Sequence, residues 1–290
     1  MTWQLSQRHK INHEFHLQYG CSCDLGIGGG QLATSEAATD FNYGPQVLNQ
    51  TTWNWTASNK LLVQAGASFL RQEVNFMNTE GRNIFTGKAS NVFPGAGTFA
   101  ITDVATGFSY AALGGGFTSY GVDDNSNNYN QKLSVNYITG SHAMKFGLQT
   151  IQGKYDIFGM QGGVEQINFQ VRNGVPVGIR LHAGPFQSLM DLRGEGLFAQ
   201  DQWTIKKLTL NVGARYDHFV GSTPAQDIAA GPFRPAFSVT EEKDLPNFKD
   251  VTYRAAAAYD VFGNGKTAIK AGFGKYLMGQ GGALAQQGFS

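Results

Sequence analysis

The chain has 290 residues, with 22 Lys and Arg against 21 Asp and Glu, for a net charge of +1. That balance gives no reason to expect a nucleic-acid partner or a strongly charged substrate. Only 15% of residues are charged, 12% are aromatic and 38 are glycine; an average soluble protein carries about 25% charge. No run approaches the ~18 apolar residues of a membrane helix, although a membrane-crossing strand shows lipid only at every second residue and so stays near neutral hydropathy.

In chain order, Met1 to Leu5 runs into Arg8-His9-Lys10 with no apolar core and no cleavage site, so no signal peptide is read there. Strands are expected over 2–6 and 11–20, around a tight turn at 7–10. In the second, Ile11, His13, Phe15, Leu17 and Tyr19 form one stripe, and period two means strand because successive side chains point to opposite faces. His13-Glu14-Phe15-His16 is one residue short of zinc-protease spacing. On a strand His13 and His16 diverge, so these and His9 read as ordinary surface or lumen histidines.

Cys21-Ser22-Cys23 is too close for an easy unstrained bridge. A disulfide and free thiols both stand ahead of a metal site, for which Asp24 alone would be the added ligand. The run 26–30 is glycine-rich, but no strand-to-helix change surrounds it and Gln31 falls where a dinucleotide fingerprint needs its third glycine. It belongs to a long connection, 21–45.

Strands follow at 46–56 and 61–74, around a turn at 57–60; Leu61, Val63, Ala65, Ala67 and Phe69 make a long stripe. The next connection, 75–128, holds three glycines at 114–116 and the polar run Asp123-Asp124-Asn125-Ser126-Asn127-Asn128. That run lacks the glycine and closing glutamate of a calcium loop and reads as solvated loop. Strands at 129–139 and 142–155 flank Gly140-Ser141. The connection 156–190 carries Asn173-Gly174 between two alternating runs, 166–172 and 177–182, the signature of an extra hairpin.

Strands at 191–203 and 208–220 flank a turn at 204–207, and after the connection 221–250 come strands 251–261 and 267–277. Between these last two lies Gly263-Asn264-Gly265-Lys266-Thr267. A phosphate-binding loop needs a glycine five residues before Gly265, and Asp260 is there; it also needs a following helix, and Ala268 onward alternates with period two. The stretch reads as a turn.

Most of these ten strands span 10 to 14 residues. Ordinary strands average about 5–6, whereas a tilted membrane strand needs about 9–11. Tight turns and long loops alternate throughout, as in an outer-membrane barrel with short periplasmic turns and long outer loops. The expected fold is therefore all-β: an antiparallel up-and-down transmembrane barrel portion of about ten strands, incomplete, and an open curved sheet if alone. Trp3, Trp53, Trp55, Trp203 and Tyr259 lie close to the short turns, where an interfacial aromatic girdle is expected. Lys145, Arg215, Asp217, Arg254, Asp260 and Lys270 fall opposite the apolar stripes and should face water or protein in the lumen, as a network of ion pairs or against a plug.

The segments 196–219, "GLFAQDQWTIKKLTLNVGARYDHF", 259–276, "YDVFGNGKTAIKAGFGKY", and 140–149, "GSHAMKFGLQ", resemble hairpins of TonB-dependent outer-membrane receptors, in particular the Oar-like group. The Cys21-Ser22-Cys23 loop with Ser35-Glu36-Ala37-Ala38 also has a counterpart there. The resemblance implies a 22-stranded barrel closed by a plug, the inner-membrane TonB complex as partner and a small ligand as cargo. Residues 1–290 would then be a barrel fragment lying in outer-membrane lipid, with plug and N-terminal domains outside it and Met1 an internal methionine. The C-terminal stretch 281–290 is loop-like in composition. A passive or structural barrel, porin- or adhesin-like, is the alternative, and a soluble all-β binding module a third. No catalytic, metal or cofactor residues are read, and no enzyme activity is expected.

Overall fold

A computed structural model describes residues 1–25, 27–28, 31–34, 37–78, 99–112, 123–159, 161–163 and 165–277. The glycine run 114–116, Ser35-Glu36 and the stretch 281–290 lie outside the described residues, as do parts of the run 26–30.

Ten strands form one sheet: β1 (Thr2–Gln4), β2 (His9–Leu25), β3 (Thr39–Ser58), β4 (Leu61–Asn78), β5 (Asp123–Thr139), β6 (His142–Gly159), β7 (Phe186–Ile205), β8 (Leu208–Ser222), β9 (Asn247–Asp260) and β10 (Ala268–Gly274). Every neighbour in chain order pairs antiparallel, and β1 and β10 are open edges. The tight turns sit where expected. Gly140 and Lys206 take positive φ in two-residue turns, and Gly263 and Gly265 do so in the last one, the conformation that lets a strand reverse within a few residues.

The strands run longer than their alternation suggested, mostly at the long-loop end. β3 starts at Thr39, β4 reaches Asn78, β6 reaches Gly159 and β7 starts at Phe186. The polar run from Asp123 to Asn128, read as loop, is the first part of β5 and pairs with both β4 and β6. Outside a bilayer a ladder needs backbone partners but no apolar face, so the alternation stops before the hydrogen bonding does.

Pairing rows show how the sheet is sheared. His9 on β2 shares a row with Trp55, Val63, Val135, Phe146, Ala199, Ala214 and Tyr253. His9 opens β2 beside its short turn, but on β9 the short-turn end is Tyr259 and Asp260, six to seven residues beyond Tyr253. Six residues of shear over seven strand steps, at about 3.3 Å per residue and about 4.8 Å per step, correspond to a strand tilt of roughly 30°. That is close to the tilt of membrane barrels.

Burial is sparse. Among the described residues the fully buried apolar ones are Ala37, Ala38, Ala100, Ala112, Ile157 and Met190, all near the long loops. A cluster centres on Ile157, packed by Val74, Tyr155 and Phe186. A water-soluble chain of this length would gather its large side chains into a core. Here Leu197, Val212, Val251, Phe146 and Phe273 are exposed along one face of the sheet.

Above the sheet the long connections join. The expected hairpin forms from Ile167–Arg172 and Val175–Leu181, with Asn173 and Gly174 both at positive φ in its turn. It is also part of a larger unit. Ile167–Arg172 pairs parallel with Ala100–Asp103, which pairs with Phe108–Tyr110, and Ser109 bridges to Ala33. Three successive outer connections are thus stitched together.

Cys21 and Cys23 are joined by a disulfide, with Cα atoms 5.2 Å apart. The close spacing that argued against an easy bridge is accommodated because β2 is irregular here, its register shifting between Ser22 and Leu25.

Candidate functional site

The two faces of the sheet differ in chemistry. One row on the apolar face runs Ile11, Trp53, Ala65, Leu133, Leu148, Leu197, Tyr216 and Val251 across eight strands. The next row on the opposite face runs Asn12, Thr52, Gly66, Lys132, Gln149, Gly196, Asp217 and Asp250. Exposed apolar patches of this extent mark a membrane or protein contact. The polar face is concave. A cavity of about 890 Å³ touches β5 through β10 on that side, lined by Asn136, Lys145, Gln200, Asn211, Arg254 and Gly272 among others. A second, of about 750 Å³, includes Gln149, Arg215, Asp217, Asp250 and Thr252.

The six charged residues singled out from the sequence all lie on the polar face by register, but they do not form one network. Arg215 and Asp217, two apart on β8, make a bidentate pair with Nε 2.8 Å from each carboxylate oxygen. Arg254 stacks over the Tyr276 ring at 4.7 Å. Lys145 lies level with Arg254, with Gln200 and Gly213 between them. Lys270 sits on the edge strand opposite Ala258. Asp260 serves the last turn: its carboxylate accepts from the Gly263 N–H at 2.9 Å and the Gly265 N–H at 2.8 Å. Sequence reasoning missed Asp250, which takes the Lys275 ammonium at 3.0 Å. Its position in period with Thr252 and Arg254 was the available signal.

Glycines shape this face. The Lys132 stem lies across Gly66, the Phe198 ring covers Gly147, and the Arg215 guanidinium covers Gly196; a Cβ at any of the three glycines would meet those side chains.

The aromatic positions lie on the apolar face. Trp53 and Trp55 stack on each other and on His9, with Trp53 Nε1 donating to His9 Nδ1 at 3.2 Å. Trp3 pairs with Ile11, and Tyr259 with Leu208. Trp203 stacks on His142, whose Nδ1 lies 2.6 Å from Asp201 Oδ2, while its own Nε1 donates to Ser141 Oγ. All lie within a few residues of short turns. His9, His13 and His16 gather no metal set; among the described residues no group of three or more His, Cys, Asp or Glu could hold one.

In the outer unit, His182 is partly buried. Its Nδ1 lies 3.2 Å from Gln161 Oε1, and burial first, then the neighbouring Arg180, lowers its pKa from the usual 6.5.

Among the described residues no helix is long and apolar enough to cross a membrane. Residues 1–289 match the family described as outer membrane beta barrel domain. The chain belongs to that family. It is an outer-membrane β-barrel chain, and the exposed apolar face is the one suited to lipid. Among solved structures it resembles the outer membrane transporter YddB from Escherichia coli, with TM-score 0.58 and 12% identity over 96% of this chain and 31% of that one. It resembles the ferric-catecholate import receptor Fiu from E. coli K12 with TM-score 0.56 and 10% identity over 94% of this chain and 45% of that one. The copper transporter OprC gives TM-score 0.56 and 12% identity over 94% of this chain and 35% of that one. These likenesses show the fold, and the chain spans less than half the length of each neighbour. No curated protein matches the chain in sequence.

Proposed function

We propose that this chain forms part of the wall of a TonB-dependent receptor of the Oar-like group, which takes up a small ligand across the outer membrane. The outer connections would capture the ligand. A plug inside the barrel would then move under drive from the inner-membrane TonB complex and open the way past the polar face. In this reading Lys145, Arg215, Asp217, Arg254, Asp260 and Lys270 face the water- or protein-filled lumen. Trp3, Trp53, Trp55, Trp203 and Tyr259 form the girdle at the periplasmic interface.

The observation that carries the reading is the continuous polar row from Asn12 to Asp250 on the concave side of a sheet with two open edges. Ten strands leave that concavity unclosed, and unpaired edges call for further strands. The described solved neighbours, transporters and a receptor among them, are more than twice as long. In this reading the role of the polar face is passage.

The test is uptake by cells carrying the full-length gene. Accumulation of the cognate ligand should stop when the TonB complex is deleted or the proton gradient is collapsed. Uptake that continues unchanged would assign the protein to the passive barrels.

A further inference from the structure

An apolar island interrupts the polar face toward its long-loop end. Two residues outward from the polar row that holds Gln149, Gly196, Asp217 and Asp250, the pairing row reads Ile151, Gly194, Phe219 and Phe248 across β6 to β9. Leu192 follows on β7, again two residues outward and on the same face. Ile151 and Phe248 are exposed, and Phe219 and Leu192 are half-buried. The side of these strands suited to lipid is the other one, so the bilayer does not account for them. All five positions line the second cavity, of about 750 Å³, which lies within the range of small-molecule sites, about 300–1,000 Å³.

Gly194 makes the island hollow. A Cβ there would rest 3.5 Å from the Phe219 ring and 3.8 Å from Ile151 Cβ, ordinary contact distances. A side chain is therefore tolerated at its root and would fill the space between the two. With glycine that space is open over two strand steps, roughly 10 Å at about 4.8 Å per step, wide enough for a flat fused-ring body.

The charges beside the island are already matched. Arg215 meets Asp217, Lys275 meets Asp250 and Arg193 meets Glu195. Arg254 stacks on Tyr276 and lies six residues along β9 from Phe248, roughly 20 Å at about 3.3 Å per residue. An ionic ligand on the island would give up hydration for a charge that no neighbouring group balances. What the adjoining row offers is acceptors. One oxygen of Asp250 meets Lys275, and beside it stands the Gln149 amide on the same cavity wall.

We propose that this hollow is a binding site for an uncharged, flat, mainly apolar molecule with a hydroxyl group at one edge. Its body lies over Ile151, Phe219 and Phe248, whose aromatic rings favour a ring. Its hydroxyl donates to the Asp250 carboxylate, a charge-assisted bond, or to the Gln149 amide oxygen. The proposal rests on the receptor reading above and adds to it the chemical class of the cargo.

The test is equilibrium dialysis of the full-length protein, held in amphipol, against three compounds that share one ring system: 2-naphthol, 2-naphthoate and 2-naphthylmethylammonium. Gly194→Leu fills the hollow, and its uptake of each compound measures the share held by the amphipol belt. Above that background 2-naphthol should bind about ten-fold more tightly than either ion, which must surrender its hydration unpaired. Phe248→Ala, at an exposed position, should weaken 2-naphthol about five-fold through the lost ring contact, and it replaces Gly194→Leu as the comparison if that variant does not fold. Asp250→Asn should weaken it about three-fold, because an amide oxygen accepts less strongly than a carboxylate. Equal retention of 2-naphthol by the wild type and both blocking variants overturns the site, and tighter binding of either ion overturns the assigned class. Uptake by cells separates this claim from the one beneath it. TonB-dependent uptake of the cognate ligand with no 2-naphthol bound above background sinks the site alone, whereas such binding in a protein whose uptake ignores TonB sinks the coupling alone.

Discussion

Arg215 Nε donates to both carboxylate oxygens of Asp217 at 2.8 Å, and the pair lies in a trough that exists because residue 196 on the neighbouring strand is glycine. Both side chains stay partly wetted, at 32% and 26% exposure, so the attraction itself stabilises by about 1 kcal/mol or less. The trough matters more. Gly196→Val should displace the guanidinium and cost about 1–3 kcal/mol, the range of an overpacked site, whereas Asp217→Asn should cost less than half of that. The temperature at which the folded barrel loses its fast-migrating band in detergent gels measures both. A larger drop for D217N than for G196V would place the stability in the ion pair.

Neighbouring residues on β8 should respond in opposite ways to one substitution. Val212 is 50% exposed on the apolar face, and Asn211 lines the larger cavity on the other. Val212→Arg places a cation in hydrocarbon and should cost about 2–4 kcal/mol near the bilayer midplane. Asn211→Arg should be close to neutral. Folding titrations in urea with lipid vesicles distinguish the two, and equal costs would mean that the faces are wrongly assigned.

The sheet was legible in the sequence because lipid on one side and water on the other force a strict alternation, as from Leu208 to Asp217. Where that constraint ends, so did legibility. Asp123 to Asn128 carry no alternation, yet they pair as strand. The bridge from Ala33 to Ser109 and the parallel pairing of Phe169 with Ile101 join segments more than 60 residues apart, and no local pattern announces such contacts. The hairpin at Asn173-Gly174 was visible because its turn requires two positive φ angles. At the polar face the charged residues were found by period, but their partners were not. From the sequence Asp260 reads as a lumen charge, and only the turn geometry brings the Gly263 and Gly265 N–H groups to it.

That turn gives a further prediction. Gly265 has φ +74° and open space where a Cβ would go, whereas a Cβ at Gly263 would meet the Lys207 side chain at 2.7 Å. Gly265→Ala should therefore cost only the backbone strain of the left-handed region, about 1–2 kcal/mol. Gly263→Ala should cost at least as much, because Lys207 must also move. Asp260→Ala removes the acceptor of two N–H groups at an exposed turn and should cost about 1 kcal/mol. Refolding yields and unfolding midpoints of the three variants rank them, and a harmless G265A would show that the turn adopts another form in the membrane.

The outer unit should loosen in acid, and His182 sets the direction. Burial and the Arg180 charge hold its pKa below the usual 6.5, and its Nε2 is buried with no hydrogen-bond partner among the described residues. Between the lowered folded pKa and 6.5 the unfolded segment binds a proton that the folded one refuses, so stability rises with pH across that window. The contribution is complete above 6.5 and is lost as the pH falls toward the folded pKa. The ring packs closely against Gly162, where a Cβ would sit 2.6 Å from its Cδ2, and Gln161 supplies a side-chain acceptor at Nδ1. Limited proteolysis of the full-length protein should show faster cleavage within residues 160–186 as the pH drops from about 7 to about 5, the range over which an imidazole titrates. His182→Gln should flatten that dependence while leaving cleavage near neutral pH little changed. An unaltered acid response in H182Q would assign it to another group.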